Sequence, residues 1–232
     1  MIPKIINYCW FGGSKLSELA IKCIESWKNY FPDYEIKEWN ESNYDVNKIV
    51  FTHEAYKVKK YAFTSDYARF DILYNSGGLY FDTDVEVIKS YNSILNHNAF
   101  MGFEELGLIN PGLGMGMCSG NKIAFEIMNY YEKQRFINKD GSYNLKTIVN
   151  ITSDILKKHG LYKEDKIQDI AGIKIYPIEY FSPKSYETGI TIITENTHSI
   201  HHFDGSWILD NENNKIRERW EFYNKYKNDE FV

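Results

Sequence analysis

Two aspartates lie close together just after a short hydrophobic stretch. Asp82 and Asp84 follow residues 79–81, whose aromatic and aliphatic side chains favour a buried strand. Along an extended chain alternate side chains face the same way, so both carboxylates would face one point unless the strand has already turned, and Glu86 continues the alternation. Such oxygen ligands suit Mg²⁺ or Mn²⁺ and leave positions open for phosphate oxygens. On spacing alone, a polar strand end exposed to water is the commoner explanation of this triplet.

An acid and a base occupy a helical pattern upstream of the triplet. Asp66 and Arg69 are three positions apart, so they share one side of the helix that leads into the acidic strand. Arginine can bind phosphate oxygens in a fork, and aspartate can accept hydrogen bonds from sugar hydroxyls. The alternative is an ordinary surface ion pair, worth ~0.3 kcal/mol, and the spacing by itself favours that alternative.

Two adjacent histidines precede a glycine near the end of the chain. His201 and His202 begin the stretch HHFDGSW, in which a neutral imidazole can be a ligand of the same cation. Neighbouring residues of a strand face opposite ways, so at most one of the two would join such a site. The alternative, equally compatible with the sequence, is one solvent-exposed histidine beside one core histidine.

Two further features give weaker indications. Trp10 ends the first predicted strand, where an indole can stack on a nucleobase, although tryptophans more often fill the core. The glycines between 107 and 120 do not have the spacing of a dinucleotide-binding or phosphate-binding loop. We therefore interpret this stretch as a flexible loop that approaches a substrate closely.

The hydrophobic pattern predicts alternating strands and helices. Strands are predicted over 4–10, 34–39, 79–81 and 173–176, and 195–207 is predicted as a strand that runs into a His-rich turn. Helices are predicted around 19–27, 54–74, 122–136, 145–159 and from 215 onward. Gly77 and Gly78 mark the end of the helix that carries Asp66 and Arg69. The strand-helix-strand opening indicates an α/β fold, in which ligands gather at the carboxyl ends of the strands.

Composition limits the class of protein. The 232 residues fit one domain, 1–232, with 215–232 as a helical tail, and 43% hydrophobic residues argue for a folded globule. A formal net charge of -5, without a run of lysine and arginine, makes nucleic acid an unlikely partner. Three widely spaced cysteines predict a reduced, cytoplasmic protein, and no apolar run is long enough for a transmembrane segment. The aromatic and basic tail is compatible with peripheral contact to a membrane that carries a lipid-linked acceptor, although a packing helix is the preferred interpretation.

Three stretches taken together resemble one enzyme family. IPKIINYCWFGG, SDYARFDILYNSGGLYFDTDVEV and HHFDGSW occur in the order found in family 32 glycosyltransferases, which include yeast-type mannosyl-initiating enzymes and bacterial capsular and oligosaccharide sugar transferases. The fixed spacing of SDxxR, the glycine pair and YxDxD is also similar to the glucosyltransferase domains of large clostridial toxins. The resemblance implies a GT-A glycosyltransferase fold, a Rossmann-like mixed sheet flanked by helices.

The resemblance also implies a role for each matching residue on the donor side. Trp10 would stack on the nucleotide base, and Asp66 and Arg69 would hold the donor sugar. Tyr80 would line the donor pocket.

A second set of matching residues is implied to contact the metal and the diphosphate. Asp82 would lie near the ribose and the metal, and Asp84 would be a direct metal ligand. His202, preferred over its neighbour because His-Phe-x-Gly looks like the metal-histidine motif of related retaining transferases, would complete the metal shell. Ser206 and Trp207 match the family's terminal Ser-Trp, which implies a contact to the diphosphate or to a closing loop.

These residues predict a metal-dependent, retaining glycosyltransferase that uses Mn²⁺ or Mg²⁺. It would move a sugar from a nucleotide-sugar donor, with UDP-sugars favoured, to a saccharide or lipid-linked oligosaccharide acceptor in surface polysaccharide or oligosaccharide synthesis. The candidate catalytic residues are Asp66, Arg69, Asp82 and Asp84. No carboxylate nucleophile of the double-displacement type is identified, so a same-face substitution assisted by the leaving phosphate is preferred.

Two other functions remain open on the sequence. A hydrophobic strand followed by Asp-x-Asp-Val also resembles haloacid-dehalogenase-type phosphatases, in which Asp82 would attack phosphorus. That fold normally needs its nucleophile strand near the start, a later lysine and a paired acidic motif, and none of these is clear in this chain. A non-catalytic nucleotide-sugar-binding protein is the second alternative, against which the intact acidic residues and Arg69 argue.

Overall fold

A strand-helix-strand unit opens the chain, whose computed structural model describes residues 1–205 and 214–221. The unit consists of β1 (Ile5–Cys9), α1 (Glu18–Tyr30) and β2 (Glu35–Trp39). Ser17 caps α1, because its hydroxyl oxygen accepts a hydrogen bond from the Ala20 amide at 3.1 Å. The two strands pair in parallel, as the sequence predicts.

A pair of helices follows where the pattern predicts one. α2 (Val50–Lys57) and α3 (Tyr61–Ser76) replace the single helix expected over 54–74. That prediction is wrong because Lys59 adopts a left-handed conformation, with φ of 61°, which interrupts the helical backbone. Neither glycine nor proline marks this break, so the sequence gives no local signal for it.

The end of α3 leads directly into the strand that carries the acidic triplet. Gly77 ends α3 with φ of 66°, and β3 (Gly78–Tyr80) starts at the next residue. A Cβ atom on Gly78 would lie 2.7 Å from the Ile5 carbonyl oxygen, so glycine is needed where β3 approaches β1. The predicted helix end and the short strand are therefore confirmed.

The remaining elements complete a mixed sheet flanked by helices. They are β4 (Val85–Val87), β5 (Ala99–Glu105), β6 (Leu108–Ile109), a 3₁₀ turn (Pro111–Leu113), β7 (Met115–Met117), α4 (Lys122–Glu132), α5 (Ile148–Lys158), β8 (Gln168–Ile170), β9 (Ile173–Tyr176), α6 (Ile178–Phe181), β10 (Ser199–His201) and a helix over 214–221. In the described part of the chain the main sheet has the order β2-β1-β3-β7-β5-β9-β8, with β6 beside β5. β4 and β10 pair separately as an antiparallel ribbon. Parallel and antiparallel pairs both occur, which confirms the mixed α/β architecture expected from the sequence.

The glycine-rich stretch between 107 and 120 contributes a strand to the middle of this sheet. β7 lies between β3 and β5 and is buried. A Cβ atom on Gly116 would lie 2.5 Å from the Phe100 ring and 2.7 Å from the Leu79 side chain, so only glycine permits this packing. The interpretation of this stretch as a flexible loop is therefore wrong for the part that forms β7.

Two clusters of buried side chains stabilise the sheet and its helices. One cluster includes Phe63 and Phe70 of α3, and the other includes Trp27 of α1 together with Phe81 and Tyr91. The Trp27 indole donates a hydrogen bond to a backbone carbonyl of β4 at 2.7 Å, which fixes the ribbon against α1. None of the helices within residues 1–205 and 214–221 has the length and hydrophobicity that crossing a lipid bilayer would require.

Candidate functional site

The chain turns sharply directly after β3. The Val85 amide donates to the Asp82 carbonyl at 3.0 Å, so the acidic triplet forms a turn and not an extended strand. The Asp82 amide donates to the Gly112 carbonyl at 3.1 Å, which fixes the triplet against the 3₁₀ turn. Because the backbone has turned, Asp82 and Asp84 contact different partners.

Asp66, Arg69 and Asp82 form one ion-pair cluster between α3 and the end of β3. Arg69 Nη2 lies 3.0 Å from Asp66 Oδ1, and Arg69 Nη1 lies 3.2 Å from Asp82 Oδ2. Arg69 is 4% exposed and Asp66 is 7% exposed. The alternative of a surface ion pair is therefore wrong, and the guanidinium is held between two carboxylates away from bulk water.

Tyr80, the last residue of β3, contacts two members of this cluster. Its hydroxyl donates to Asp82 Oδ1 at 3.1 Å, and the Arg69 guanidinium carbon lies 4.8 Å from the centre of its ring. Both carboxylate oxygens of Asp82 are thus engaged. Burial raises the pKa of Asp66 to about 7, although Arg69 lowers it. The Asp66 carboxyl can therefore gain or lose a proton near neutral pH, which suits a group that exchanges hydrogen bonds with hydroxyls.

Asp84 contacts a strand from the far end of the chain. β10 pairs with β4 in a register that places His201 opposite Val85 and brings His201 Nε2 within 3.2 Å of Asp84 Oδ1. The Asp204 amide donates to Asp84 Oδ2 at 2.9 Å. Burial opposes ionisation of Asp84, but the charge of His201 and these hydrogen bonds outweigh it and hold the pKa at about 2. Burial also disfavours the imidazolium, yet the Asp84 carboxylate raises the pKa of His201 to about 9.

His202, the histidine preferred on the resemblance, contacts a different carboxylate. Its Nε2 lies 2.8 Å from Glu86 Oε2, and Lys22 Nζ lies 2.8 Å from the same oxygen. The described geometry therefore brings His201, and not the side chain of His202, to Asp84. The expectation that adjacent strand residues face opposite ways holds for this pair, because each contacts its own carboxylate.

The residue after the histidines has an unusual backbone conformation. Phe203 has φ of 56°, which turns the chain so that the amide that follows it can reach Asp84. The Phe203 ring centre lies 4.3 Å from that of His201, so it packs against the imidazole. A positive φ in a residue other than glycine strains the backbone, and such strain is concentrated at active sites and ligand-binding sites.

The Asp84–His201 pair has the donor atoms that a divalent cation requires. Among the described residues, His201 Nδ1 is buried and has no hydrogen-bond partner, so the imidazole has bonding capacity that the protein does not use. An ionised carboxylate and an imidazole nitrogen are suitable ligands for Mn²⁺. Within residues 1–205 and 214–221, no three His, Cys, Asp or Glu side chains form a ready-made metal cage.

For three other predicted contact residues the structure gives no contact with the two clusters described above or gives no description. Trp10 lies one residue beyond β1, is partly exposed, and donates its indole N–H to the Ser14 carbonyl at 2.8 Å. Its stacking on a nucleobase stays a prediction. Ser206 and Trp207 lie outside the described residues.

Sequence reasoning missed two residues that position the site. Asn110 caps the 3₁₀ turn, because its side-chain oxygen accepts the Gly112 amide at 2.7 Å. A Cβ atom on Gly112 would lie 1.9 Å from Asp82 Oδ2, so only glycine fits against this carboxylate. The Asn-Pro-Gly triplet is a recognisable turn signal, but nothing local indicates that the turn contacts Asp82.

Part of the chain matches a known protein family, and most of it is similar to a viral protein. Residues 17–101, which include Asp66, Arg69 and both aspartates of the triplet, match the family described as a glycosyltransferase sugar-binding region containing the DXD motif. The chain is 24% identical over 192 residues to an uncharacterised glycosyltransferase of Acanthamoeba polyphaga mimivirus, covering 79% of this chain and 74% of that protein.

Solved glycosyltransferase structures are also similar. PaToxG glycosyltransferase aligns with a TM-score of 0.49 and 16% identity over 68% of each chain. The galactosyltransferase LgtC, solved with donor and acceptor sugar analogues, aligns with a TM-score of 0.46 and 14% identity over 94% of this chain and 95% of its own. The matched family region and the mimiviral relative identify the chain as a glycosyltransferase.

Proposed function

We propose that this glycosyltransferase moves a sugar from a nucleotide-sugar donor to a saccharide acceptor with the help of a divalent cation. The observation that carries the proposal is the position of two polar clusters on either side of the acidic triplet. Asp66, Arg69 and Asp82 form one cluster, and Asp84 and His201 form the other. A cluster that recognises hydroxyls therefore lies next to a pair that suits a metal and its phosphate ligands.

The cluster of Asp66, Arg69 and Asp82 acts by orienting the donor sugar. Arg69 is fixed by Asp66, by Asp82 and by the Ser65 carbonyl, which its Nε contacts at 3.3 Å. A guanidinium held this rigidly loses little freedom when a ligand binds, so it and the neighbouring carboxylates can hold the donor sugar in one orientation. Burial raises the pKa of the Asp66 carboxyl to about 7. When ionised, this carboxyl accepts a hydrogen bond from a sugar hydroxyl, and when protonated it can also donate one.

Asp84 and His201 would hold the cation, which is Mn²⁺ or Mg²⁺. A bound divalent cation supplies positive charge beside the diphosphate that leaves. Asp84 stays ionised throughout the neutral range because its pKa is about 2. His201 releases its proton to act as a ligand, so metal and proton compete for the same imidazole.

Finer features of the activity follow from the sequence resemblance. We propose a family 32-type, retaining enzyme that favours UDP-sugars and acts on a saccharide or lipid-linked oligosaccharide in surface polysaccharide synthesis. Trp10 and Tyr80 would line the donor site. Retention by same-face substitution needs no carboxylate nucleophile. NMR of the products of the first turnovers shows their anomeric configuration and so tests retention against inversion.

The phosphatase alternative lacks support from the geometry of Asp82. Both oxygens of this carboxylate are engaged by Arg69 and Tyr80, whereas a nucleophile needs an oxygen free to attack phosphorus. A non-catalytic binding protein would keep the same contacts, so it is distinguished by assay.

A panel of UDP-sugars and GDP-sugars with Mn²⁺, scored for release of the nucleoside diphosphate, tests the proposal. We expect slow hydrolysis of at least one donor, because water can replace the acceptor in many transferases. The variant Asp140→Asn, which changes an exposed loop carboxylate, is the control and should hydrolyse the donor at the wild-type rate. Binding of a nucleotide sugar without any hydrolysis or transfer, across all donors, would favour the non-catalytic protein.

A further inference from the structure

Glu104 is a carboxylate at the end of β5 that the proposed function does not use. It follows the buried Phe103 and precedes the exposed Glu105. The pairing of β5 with β6 shifts between Phe103 and Glu105, so Glu104 lies at a β-bulge. Bulges change the direction of a side chain and are frequent beside active sites.

A chain of hydrogen bonds joins Glu104 to the acidic triplet. The Asn110 side-chain amide donates to the Glu104 carboxylate, and the Asn110 side-chain oxygen accepts the Gly112 amide. The Gly112 carbonyl in turn accepts the Asp82 amide at 3.1 Å. The position of Glu104 relative to Asp82 is therefore fixed through the Asn110 side chain and the 3₁₀ turn.

Glu104 has acceptor capacity that its described hydrogen-bond partner does not fill. Within the described residues its hydrogen-bond partner is Asn110, and no lysine or arginine forms an ion pair with it. The 3₁₀ turn that Asn110 caps contacts β10, the strand that carries His201. Burial raises the pKa of Glu104, whereas the charge of His201 lowers it. A carboxylate has two oxygens and about four acceptor positions, and the Asn110 amide occupies one of them, so the others can accept a hydrogen bond from a ligand.

We propose that the Glu104 carboxyl accepts a hydrogen bond from a hydroxyl of the transferred sugar, so that Glu104 and Asn110 form a sugar-recognising subsite beside Asp84 and His201. Glu104 and Asn110 are connected to the triplet through Gly112, whereas Arg69 contacts it from α3. A sugar ring between them is contacted from two sides, and Glu104 contributes to the choice among sugars. This inference rests on the proposed function, because it needs a nucleotide-sugar donor.

Binding of the whole donor and of its nucleotide alone separates this role from a structural one. UDP-glucose and UDP are titrated calorimetrically with Mn²⁺ into wild-type protein, Glu104→Gln and Glu104→Ala, or GDP-mannose and GDP if the donor panel prefers guanosine. We expect both variants to bind the nucleotide sugar about tenfold or more weakly and the free nucleotide within about twofold of wild type, since a site deprived of a charged acceptor loses selectivity for the hydroxyl. Glu105→Gln, the same change at the exposed neighbour, should bind both ligands as wild type does.

Three results would overturn the assignment of Glu104. They are equal weakening of the nucleotide and the nucleotide sugar, unchanged affinity for both, and an effect confined to the KM of the acceptor. If Glu104→Ala does not fold, the isosteric Glu104→Gln decides. A wild-type protein that binds no nucleotide sugar would instead refute the proposed function, and this inference with it, whereas normal donor hydrolysis with unchanged binding by Glu104→Gln would refute only the subsite.

Discussion

His201 and His202 are neighbours in the sequence but contact carboxylates with different surroundings. Glu86 already has Lys22 as a partner, whereas Asp84 has no lysine or arginine among its described hydrogen-bond partners. The carboxylate without a lysine or arginine partner is the better place for a metal ion, because an imidazolium can lose its proton and become a ligand. This difference makes the two histidines a natural pair of test and control.

We predict that His201→Asn weakens Mn²⁺ binding in the presence of UDP by about tenfold or more, because loss of even an indirect metal partner costs 10–100-fold. His202→Asn should bind Mn²⁺ within about twofold of wild type. Electron paramagnetic resonance of free Mn²⁺ during a titration measures both affinities directly. The opposite order, with His202→Asn weakened and His201→Asn unaffected, would restore His202 as the ligand.

At the scale of secondary-structure elements, the 3₁₀ turn fixes the position of the Asp82 carboxylate. The 3₁₀ turn presses Gly112 against Asp82, and the capping side chain of Asn110 fixes that turn. Arg69 also contacts this carboxylate. A change in the turn should therefore lower activity more than it lowers the stability of the fold.

We therefore predict that Gly112→Ala lowers donor hydrolysis by about tenfold or more while the protein remains folded. The added methyl displaces the Asp82 carboxylate from Arg69, and a small misplacement of a positioning group can cost about 100-fold in rate. Gly120→Ala is the control, since Gly120 has φ of 72° and open space around it. That variant should lose some thermal stability through backbone strain but keep its turnover.

A Gly112→Ala variant with full turnover would show that the contact between the turn and Asp82 has no role in catalysis. Circular dichroism and the melting temperature, measured on the same samples, separate displacement of the carboxylate from general unfolding.

The local elements could be predicted from the sequence, but their long-range pairing could not. Hydrophobic periodicity and the Gly77-Gly78 pair locate the end of α3 and the strand β3 to within a residue or two, because these signals are local. The choice of His201 depends on the register between β10 and β4, which joins segments more than 100 residues apart. A shift by one residue would exchange the two histidines, and nothing in either segment alone defines that register.

Two errors in the predicted elements have the same origin. The left-handed Lys59 separates α2 from α3, although lysine carries no preference for that conformation. The strand β7 is formed by methionine and glycine, and its position between β3 and β5 depends on side chains contributed by both neighbours. Tertiary packing overrode the local signal in both places.

At the scale of the whole molecule, the described part of the C-terminal helix packs on the protein. The Trp220 indole donates to the Tyr186 carbonyl at 2.7 Å, and its ring occupies space that only a glycine at 189 leaves open. Lys184 lies 3.9 Å from the centre of the same ring. This packing supports a packing helix for residues 214–221, and peripheral membrane contact and the single-domain organisation stay predictions.

The three cysteines report on the packing of the whole chain. Burial raises the pKa of the Cys9 thiol and of the Cys23 thiol to about 12, so neither forms much thiolate at pH 8, whereas Cys118 is partly exposed. We predict that iodoacetamide at pH 8 alkylates the native protein at Cys118 and labels all three cysteines after unfolding. Peptide mass spectrometry identifies the labelled sites, and rapid alkylation of Cys9 in the native protein would contradict the packing of β1.

The central claim is that Asp84 is one half of a metal site that the diphosphate of the donor completes. Donor hydrolysis by Asp84→Asn at saturating Mn²⁺ tests it most directly, with Asp140→Asn as the matched control. Asparagine keeps the size of the side chain but removes its charge, so we predict turnover at least about 100-fold below wild type. Wild-type turnover by Asp84→Asn would contradict the claim.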